Sequence, residues 1–203
     1  VWAYSIDATT GALTSVGGVR AGRNPRSVTV DPSGKFAYVA NDGGGVSAYT
    51  INATSGALTQ IDAIRGFFGI QNFPAGTRPQ SVTVDPSGKF AYVANYGSGN
   101  ISAYAINART GALTSIGAAV AAGAFPTSVT VDPSGKFAYV ANAGGGVSAY
   151  RIDATTGALT SVGAAVAAGT NPQSVTVDPS GKFAYVANMG SSNVSAYTID
   201  AST

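Results

Sequence analysis

SVTVDPSGKFAYVAN, from Ser27 to Asn41, recurs without a change from Ser81 to Asn95, Ser128 to Asn142 and Ser174 to Asn188. Each copy reads as one β-hairpin: SVTV is a first strand, DPSG the turn, and KFAYVA a second strand of aromatic and β-branched residues. The turn chemistry is specific. The aspartate accepts hydrogen bonds from backbone N–H groups further along, the proline presets φ, and the glycine tolerates the positive φ that closes the hairpin. The hairpin is therefore the repeated unit, and the rest of the chain connects one copy to the next.

Outward from each copy a second motif repeats: VSAYTINATSGALTQ after Asn41 and VSAYRIDATTGALTS after Asn142. It reads as two more strands joined by a loop in which Asp7, Asn52, Asn107 or Asp153 bonds the turn backbone, ahead of a glycine suited to positive φ. Each full unit thus has four short antiparallel strands. The spacing is 47 residues from Ser81 to Ser128 and 46 from Ser128 to Ser174, close to the repeat of a β-propeller blade. The sequence therefore predicts an all-β propeller of about four blades with SVTV innermost. Residues 1–24 supply the outer strands of a partial blade, 25–79, 80–125 and 126–170 are full repeats, and 171–203 is a partial blade.

The count of strands is uneven. The third-strand motif begins five times, at Val1, Val46, Ile101, Val147 and Val194, against four copies of the first two strands. One third strand is redundant. The chain is expected to belong to a longer ring, or to assemble with other copies of itself through its end blades, in preference to closing alone as a four-bladed ring. Because the chain opens halfway through a repeat, the lack of a leader-like stretch at its start carries no information.

One repeat is longer, 54 residues from Ser27 to Ser81, with the extra length around IRGFFGIQNFPAGTRP, Ile64 to Pro79. It brings Arg65, Phe67, Phe68 and Phe73 together. The favoured reading is that the phenylalanines cover a blade edge; the other is a lid or binding loop.

Composition narrows the chemistry. Only 10% of the 203 residues are charged, against roughly 25% in an average soluble domain. The eleven Lys and Arg are scattered along the repeats, with no basic stripe for nucleic acid. No apolar run approaches the ~20 residues of a membrane span. The nine acidic residues are all aspartates, and histidine, cysteine and glutamate are absent. That excludes imidazole and thiol nucleophiles, zinc sites of the usual ligand set and disulfides, and no cofactor is expected.

Specificity must lie where the copies differ. In a propeller the connections between blades and those between second and third strands meet on one face. Here the first set reads GRNPR, TRPQ, AFPT and TNPQ, and the second NDGGG, NYGSGN, NAGGG and NMGSSN. The candidate ligand-binding residues are Arg23, Arg26, Asn41, Asp42, Arg78, Gln80, Asn95, Tyr96, Asn142, Gln173 and Asn188. Guanidinium and amide groups together suit a small anionic or hydroxyl-rich ligand. Against this, an asparagine ahead of a glycine-rich loop commonly just completes a turn.

The string YVAN in each copy, preceded by VDPSGKFA and followed by VSAYxIDxxTGALT, resembles the YVTN-type and lactonase-like (6-phosphogluconolactonase-like) β-propellers. The resemblance covers essentially the whole chain. It implies seven blades and, for some members, hydrolysis of sugar lactones through histidine, arginine and glutamate at the propeller mouth. Only the arginines exist here, and an arginine stays protonated and cannot act as a general base. On this ground the chain is read as a non-catalytic binding or scaffold propeller of a secreted or cell-surface protein, with sugar-lactone hydrolysis as the alternative.

Overall fold

The computed structural model describes residues 1–62 and 72–200 as five antiparallel sheets without a helix. A two-stranded sheet of β1 (Trp2–Ile6) and β2 (Leu13–Gly18) comes first. The next sheet orders β3 (Pro25–Val30), β4 (Phe36–Asn41), β5 (Val46–Ile51) and β6 (Leu58–Ile61). The third contains β7 (Pro79–Val84), β8 (Phe90–Asn95), β9 (Asn100–Ile106) and β10 (Leu113–Ser115), with the short β11 (Val120–Ala121) also on β9. The fourth runs β12 (Pro126–Val131), β13 (Phe137–Asn142), β14 (Val147–Ile152), β15 (Leu159–Ser161), and the last has only β16 (Pro172–Val177), β17 (Phe183–Asn188) and β18 (Asn193–Thr198). First strands line the inside: β3 lies against β7, β7 against β12 and β12 against β16. These sheets are propeller blades.

The core lies between blades. In FAYVAN the period-2 alternation of a strand sends Phe36, Tyr38 and Ala40 forward onto Val82, Ala91, Val93, Tyr104 and Leu113 of the next blade. Ala37 and Val39 face backward, onto Val1, Val19 and Ala21 around the β1–β2 hairpin. One blade on, Phe90, Tyr92 and Ala94 face forward onto Val129, Ala138, Val140 and Leu159. Large side chains on one face thus meet small ones on the next, and five tyrosines are essentially inaccessible.

Tyrosine hydroxyls find backbone partners across the blades. Tyr38 donates to the Gly111 carbonyl at 2.9 Å and Tyr92 to that of Gly157 at 3.0 Å, each in the outer hairpin of the following blade. The glycine is required twice over. Gly157 sits at φ +73°, and a Cβ there would come within 2.3 Å of the Phe90 ring. Burial also pushes the Tyr38 hydroxyl well above its ordinary pKa, with the Asp31 charge adding to the shift.

Each DPSG turn is closed by its aspartate. Asp31 accepts from Lys35 N at 2.9 Å, Phe36 N at 2.7 Å, Ser33 N at 3.0 Å and the Ser33 hydroxyl. Asp85, Asp132 and Asp178 do the same one repeat apart. Burial alone would raise the Asp31 carboxyl, but hydrogen bonds from Ser33 and Phe36 outweigh it and hold the group below its usual value.

Neither β1 nor β2 pairs with β16, β17 or β18, so the described residues form an open arc and not a closed four-bladed ring. In the long repeat, Arg65, Phe67 and Phe68 lie outside the described residues. Phe73 is buried and exchanges two 2.8 Å backbone hydrogen bonds with Val46, adding cover to the edge of the second sheet.

Two predictions follow from this packing. Gly157→Ala is expected to cost about 3 kcal/mol, combining the left-handed backbone penalty with overpacking against Phe90. Gly117→Ala, at φ +60° with nothing within 4 Å, should cost only about 1 kcal/mol. Equal losses in denaturant unfolding would overturn the packing role. Because the folded pKa of Asp31 is depressed, the unfolded chain binds more protons as pH falls through the unfolded pKa. Stability is then lost below about pH 4 and is flat between about pH 5 and 7. A thermal midpoint unchanged at about pH 3 would contradict it.

Candidate functional site

One local device repeats at the inner end of every blade. The residue before the proline shared by the repeats has positive φ in all four: Asn24 (54°), Arg78 (55°), Phe125 (59°) and Asn171 (54°). This backbone is uncommon for residues other than glycine. It turns the carbonyl onto the neighbouring loop, where it accepts from Asp42 N, Tyr96 N, Ala143 N and Met189 N at 2.8–3.0 Å. The residue after the proline is then skipped in the ladder, since Pro25 opposes Asn41 and Ser27 opposes Ala40. Arg26, Gln80, Thr127 and Gln173 are therefore bulge residues, and a bulge re-aims its side chain. Each blade presents two variable side chains at the mouth in this way.

At the first two full blades they assemble an ionic cluster. Arg26 donates to Asp42 Oδ2 through Nη2 at 2.8 Å and Nε at 3.2 Å, and Arg78 Nε donates to Oδ1 at 3.2 Å. The arginine side chains are half exposed, whereas that of Asp42 is 11% exposed. Hydrogen bonding from Arg26 first, and then from Arg78, holds the Asp42 carboxyl below its usual pKa. Gln80 lies beside it. Its buried Nε2 makes no well-formed hydrogen bond, but its proximity adds to the stabilisation of the carboxylate. The cluster continues sideways as a stack. Arg78 lies 4.7 Å from the centroid of the Tyr96 ring, and Tyr96 is 5.0 Å from Phe125 with the rings tilted by 31°.

The structure separates the sequence candidates. Arg26, Asp42, Arg78, Gln80 and Tyr96 come together. Arg23 is exposed and forms no ion pair among the described residues. Gln173 lies two blades away and donates to its own neighbour Asn171 at 2.7 Å. The asparagines Asn41, Asn95, Asn142 and Asn188 require correction as ligand-binding groups. All four are buried, with their amides turned inward onto Ser47, Ser102, Ser148 and Ser195 of the third strand at 2.9–3.0 Å. They join second strand to third. Phe125 was not among the candidates; its signal was its alignment with Arg78 ahead of the shared proline. Among the described residues no three His, Cys, Asp or Glu side chains gather as metal ligands.

Fold and mouth together define a β-propeller with a cationic, partly aromatic rim. The family described as lactonase, 7-bladed beta-propeller, matches residues 1–66, 64–125 and 103–203, and the chain belongs to that family. Among solved structures, a putative 6-phosphogluconolactonase from Bacteroides fragilis superposes with a TM-score of 0.83 at 24% identity, over 100% of this chain and 61% of its own. The periplasmic gluconolactonase of Pseudomonas aeruginosa gives 0.81 at 20% identity, over 98% and 59%. A putative 6-phosphogluconolactonase from Bacteroides uniformis gives 0.80 at 20%, over 98% and 61%. The chain thus spans about three fifths of the length of these propellers. No curated protein matches it significantly.

Asp42 neutralises one of two guanidinium groups and competes with any bound anion. Asp42→Asn is therefore expected to change stability by less than about 1 kcal/mol, since the arginines are half exposed. It should strengthen binding of a hydroxylated dicarboxylate such as tartrate several-fold, read by calorimetry at low salt. Weaker tartrate binding by the variant would contradict this account of the cluster.

Proposed function

We propose that this chain acts on sugar lactones at the propeller mouth. The observation that carries the reading is the Arg26–Asp42–Arg78 cluster at the inner end of a lactonase-family propeller. Two guanidinium forks suit the carboxylate or phosphate of a sugar acid derivative, and the Tyr96–Phe125 surface beside them suits the apolar face of a sugar ring. Hydrolysis adds water to the lactone carbonyl and breaks the ring C–O bond, giving the open hydroxy acid. An arginine there would stabilise the oxyanion that develops on the carbonyl oxygen. Asp42 is ionised at neutral pH, but a carboxyl held below its ordinary pKa is a weak base. Arginine electrostatics would therefore have to supply most of any rate enhancement.

That weakness favours a second reading, a propeller that binds such ligands without turning them over. The absence of histidine and glutamate from the whole sequence supports it. The two readings separate in one assay, which follows opening of gluconolactone and 6-phosphogluconolactone above the spontaneous rate. The first reading expects turnover, with kcat/KM reduced about tenfold or more by Arg26→Ala and by Arg78→Ala. Saturable binding of gluconate or 6-phosphogluconate without turnover supports the second, and neither binding nor turnover defeats both.

A further inference from the structure

The loop that carries Asp42 has little of its own to hold it. Between Asn41 and Val46 it reads Asp-Gly-Gly-Gly, and glycine loses more backbone freedom on folding than any other residue. The longer loops at the same place in the third and fifth sheets, 96–100 and 189–193, carry side chains that fasten them. Ser98 accepts from Thr77 N at 2.6 Å and Asn100 from the Asn95 amide at 2.9 Å. Ser191 accepts from Thr170 N and Asn193 from the Asn188 amide, both at 3.0 Å. The second and fourth sheets have the triple-glycine form, with Asp42 in one and Ala143 in the other.

At the second sheet a side chain from outside the loop takes over. Asn72 Nδ2 donates to the Gly44 carbonyl at 3.0 Å, and its Oδ1 accepts from the Ser47 hydroxyl at 2.7 Å. Ser47 in turn accepts from Gly22 N at 3.0 Å, so the bonds run from the residue second after Asp42 to the connection that leads into Arg26. The fit is close on both sides. A Cβ at Gly22 would come within 2.4 Å of Asn72 Nδ2, and one at Gly45 within 2.7 Å of the Asn72 Cβ. Phe73 opposes Val46 as Val120 opposes Ile101 and Val166 opposes Val147, which makes Ala119 and Ala165 the equivalents of Asn72. In the third sheet, where Ala119 stands, a cavity of about 260 Å³ opens among Gly76, Ser102 and Ala119.

From this arrangement we infer that Asn72 is a positioning residue of the ionic cluster, pinning the Asp42 loop to the connection that bears Arg26 so that carboxylate and guanidinium meet in one geometry. The amide stands where the triple-glycine loop carries a charged group, and alanine stands where it carries Ala143. An amide donates and accepts at once, so one side chain bridges a carbonyl on the loop and a hydroxyl bonded to the connection. The near half of the loop is already held, by Asp42 N on Asn24 O and Gly43 N on Arg23 O at 2.9 Å, bonds that recur at every mouth loop. Asn72 secures the far half through Gly44. Asp42 meets Arg26 and Arg78 from that loop, and a loop that drifts loosens its bonds to both. The inference rests on the proposed function only in giving the cluster a ligand to meet; the brace itself is independent of what the mouth binds.

Asn72→Ala tests this without threatening the fold, because alanine already occupies the equivalent positions 119 and 165. Amide hydrogen exchange followed by NMR is expected to speed up about tenfold or more at Asp42 and Gly43, while Ala143 and Gly144 in the fourth sheet keep their rates. In a carboxyl-carbon NMR titration Asp42, held low chiefly by its hydrogen bond from Arg26, should move up toward its ordinary value. Asp153, held low chiefly by the Thr156 amide of its own turn, should titrate as before. Unchanged exchange at Asp42 and Gly43 would overturn the proposal, as would an Asp42 titration that does not move. Equal acceleration in the second and fourth sheets would overturn it too, since Asn72 would then be a general stabiliser. These readouts involve no lactone, so the brace and the proposed activity stand or fall separately.

Discussion

Every blade here depends on having a neighbour, because the second strand sorts its side chains by size onto two opposite faces. Phe36 and Tyr38 go forward, Ala37 and Val39 go backward, and neither face is covered by the strand's own sheet. Burial of a large aromatic side chain is worth roughly 1.5–3 kcal/mol. In the last described blade, which has no following blade among the described residues, Phe183 and Tyr185 are each 41% exposed. Stability in such an array belongs to interfaces more than to single sheets, as nearest-neighbour repeat architectures require. The polar contacts follow the same logic. The Tyr38 and Tyr92 hydroxyls and the Ser27, Ser81 and Ser128 hydroxyls bond across blade boundaries, so the boundary fixes register as well as burying area.

Constancy of the interface frees the mouth to vary. The positive-φ residue, the proline and the bulge keep one backbone path at all four blades, while the two projecting side chains change from Asn24 and Arg26 to Arg78 and Gln80, Phe125 and Thr127, and Asn171 and Gln173. The backbone cost of a non-glycine residue at positive φ is met four times over and offset each time by a carbonyl bond to the adjacent loop. Charge is confined to one side of this rim and aromatic surface to the middle. The described arc therefore presents a graded surface in place of a symmetric ring of identical groups.

The fold was legible in the sequence because its determinants are local and repeated. DPSG encodes its own hairpin, the glycine of TGALT encodes its own loop, and a period near 46 residues then leaves few architectures. The mouth was legible only in part. Arg26, Asp42, Arg78 and Tyr96 could be brought to one face by topology, but the bulge that aims Arg26 depends on skipping one residue between Pro25 and Ser27, which no local signal marks. The asparagines were misplaced for a related reason. Asn41 and Ser47 are six residues apart, and only the pairing of β4 with β5 shows that the amide turns inward onto that hydroxyl. Glycine-rich loops after an asparagine look alike whether the amide faces a ligand or its own turn.

The residue types that are missing matter as much as those that converge. On the reading proposed above, arginine and aromatic groups at the mouth would suit an anionic, ring-shaped ligand, because guanidinium geometry and ring stacking act on the ground state. Turnover demands more. It needs interactions that strengthen as charge moves to the lactone carbonyl oxygen, and only groups aimed at that oxygen provide them. Arg26 is committed to Asp42 by two hydrogen bonds, whereas Arg78 shares its guanidinium between one bond to Asp42 and the face of Tyr96. Arg78 is thus the freer of the two to follow a developing charge. Any catalytic power in this mouth would rest on that side chain, with Asp42 acting chiefly to hold both guanidinium groups in place.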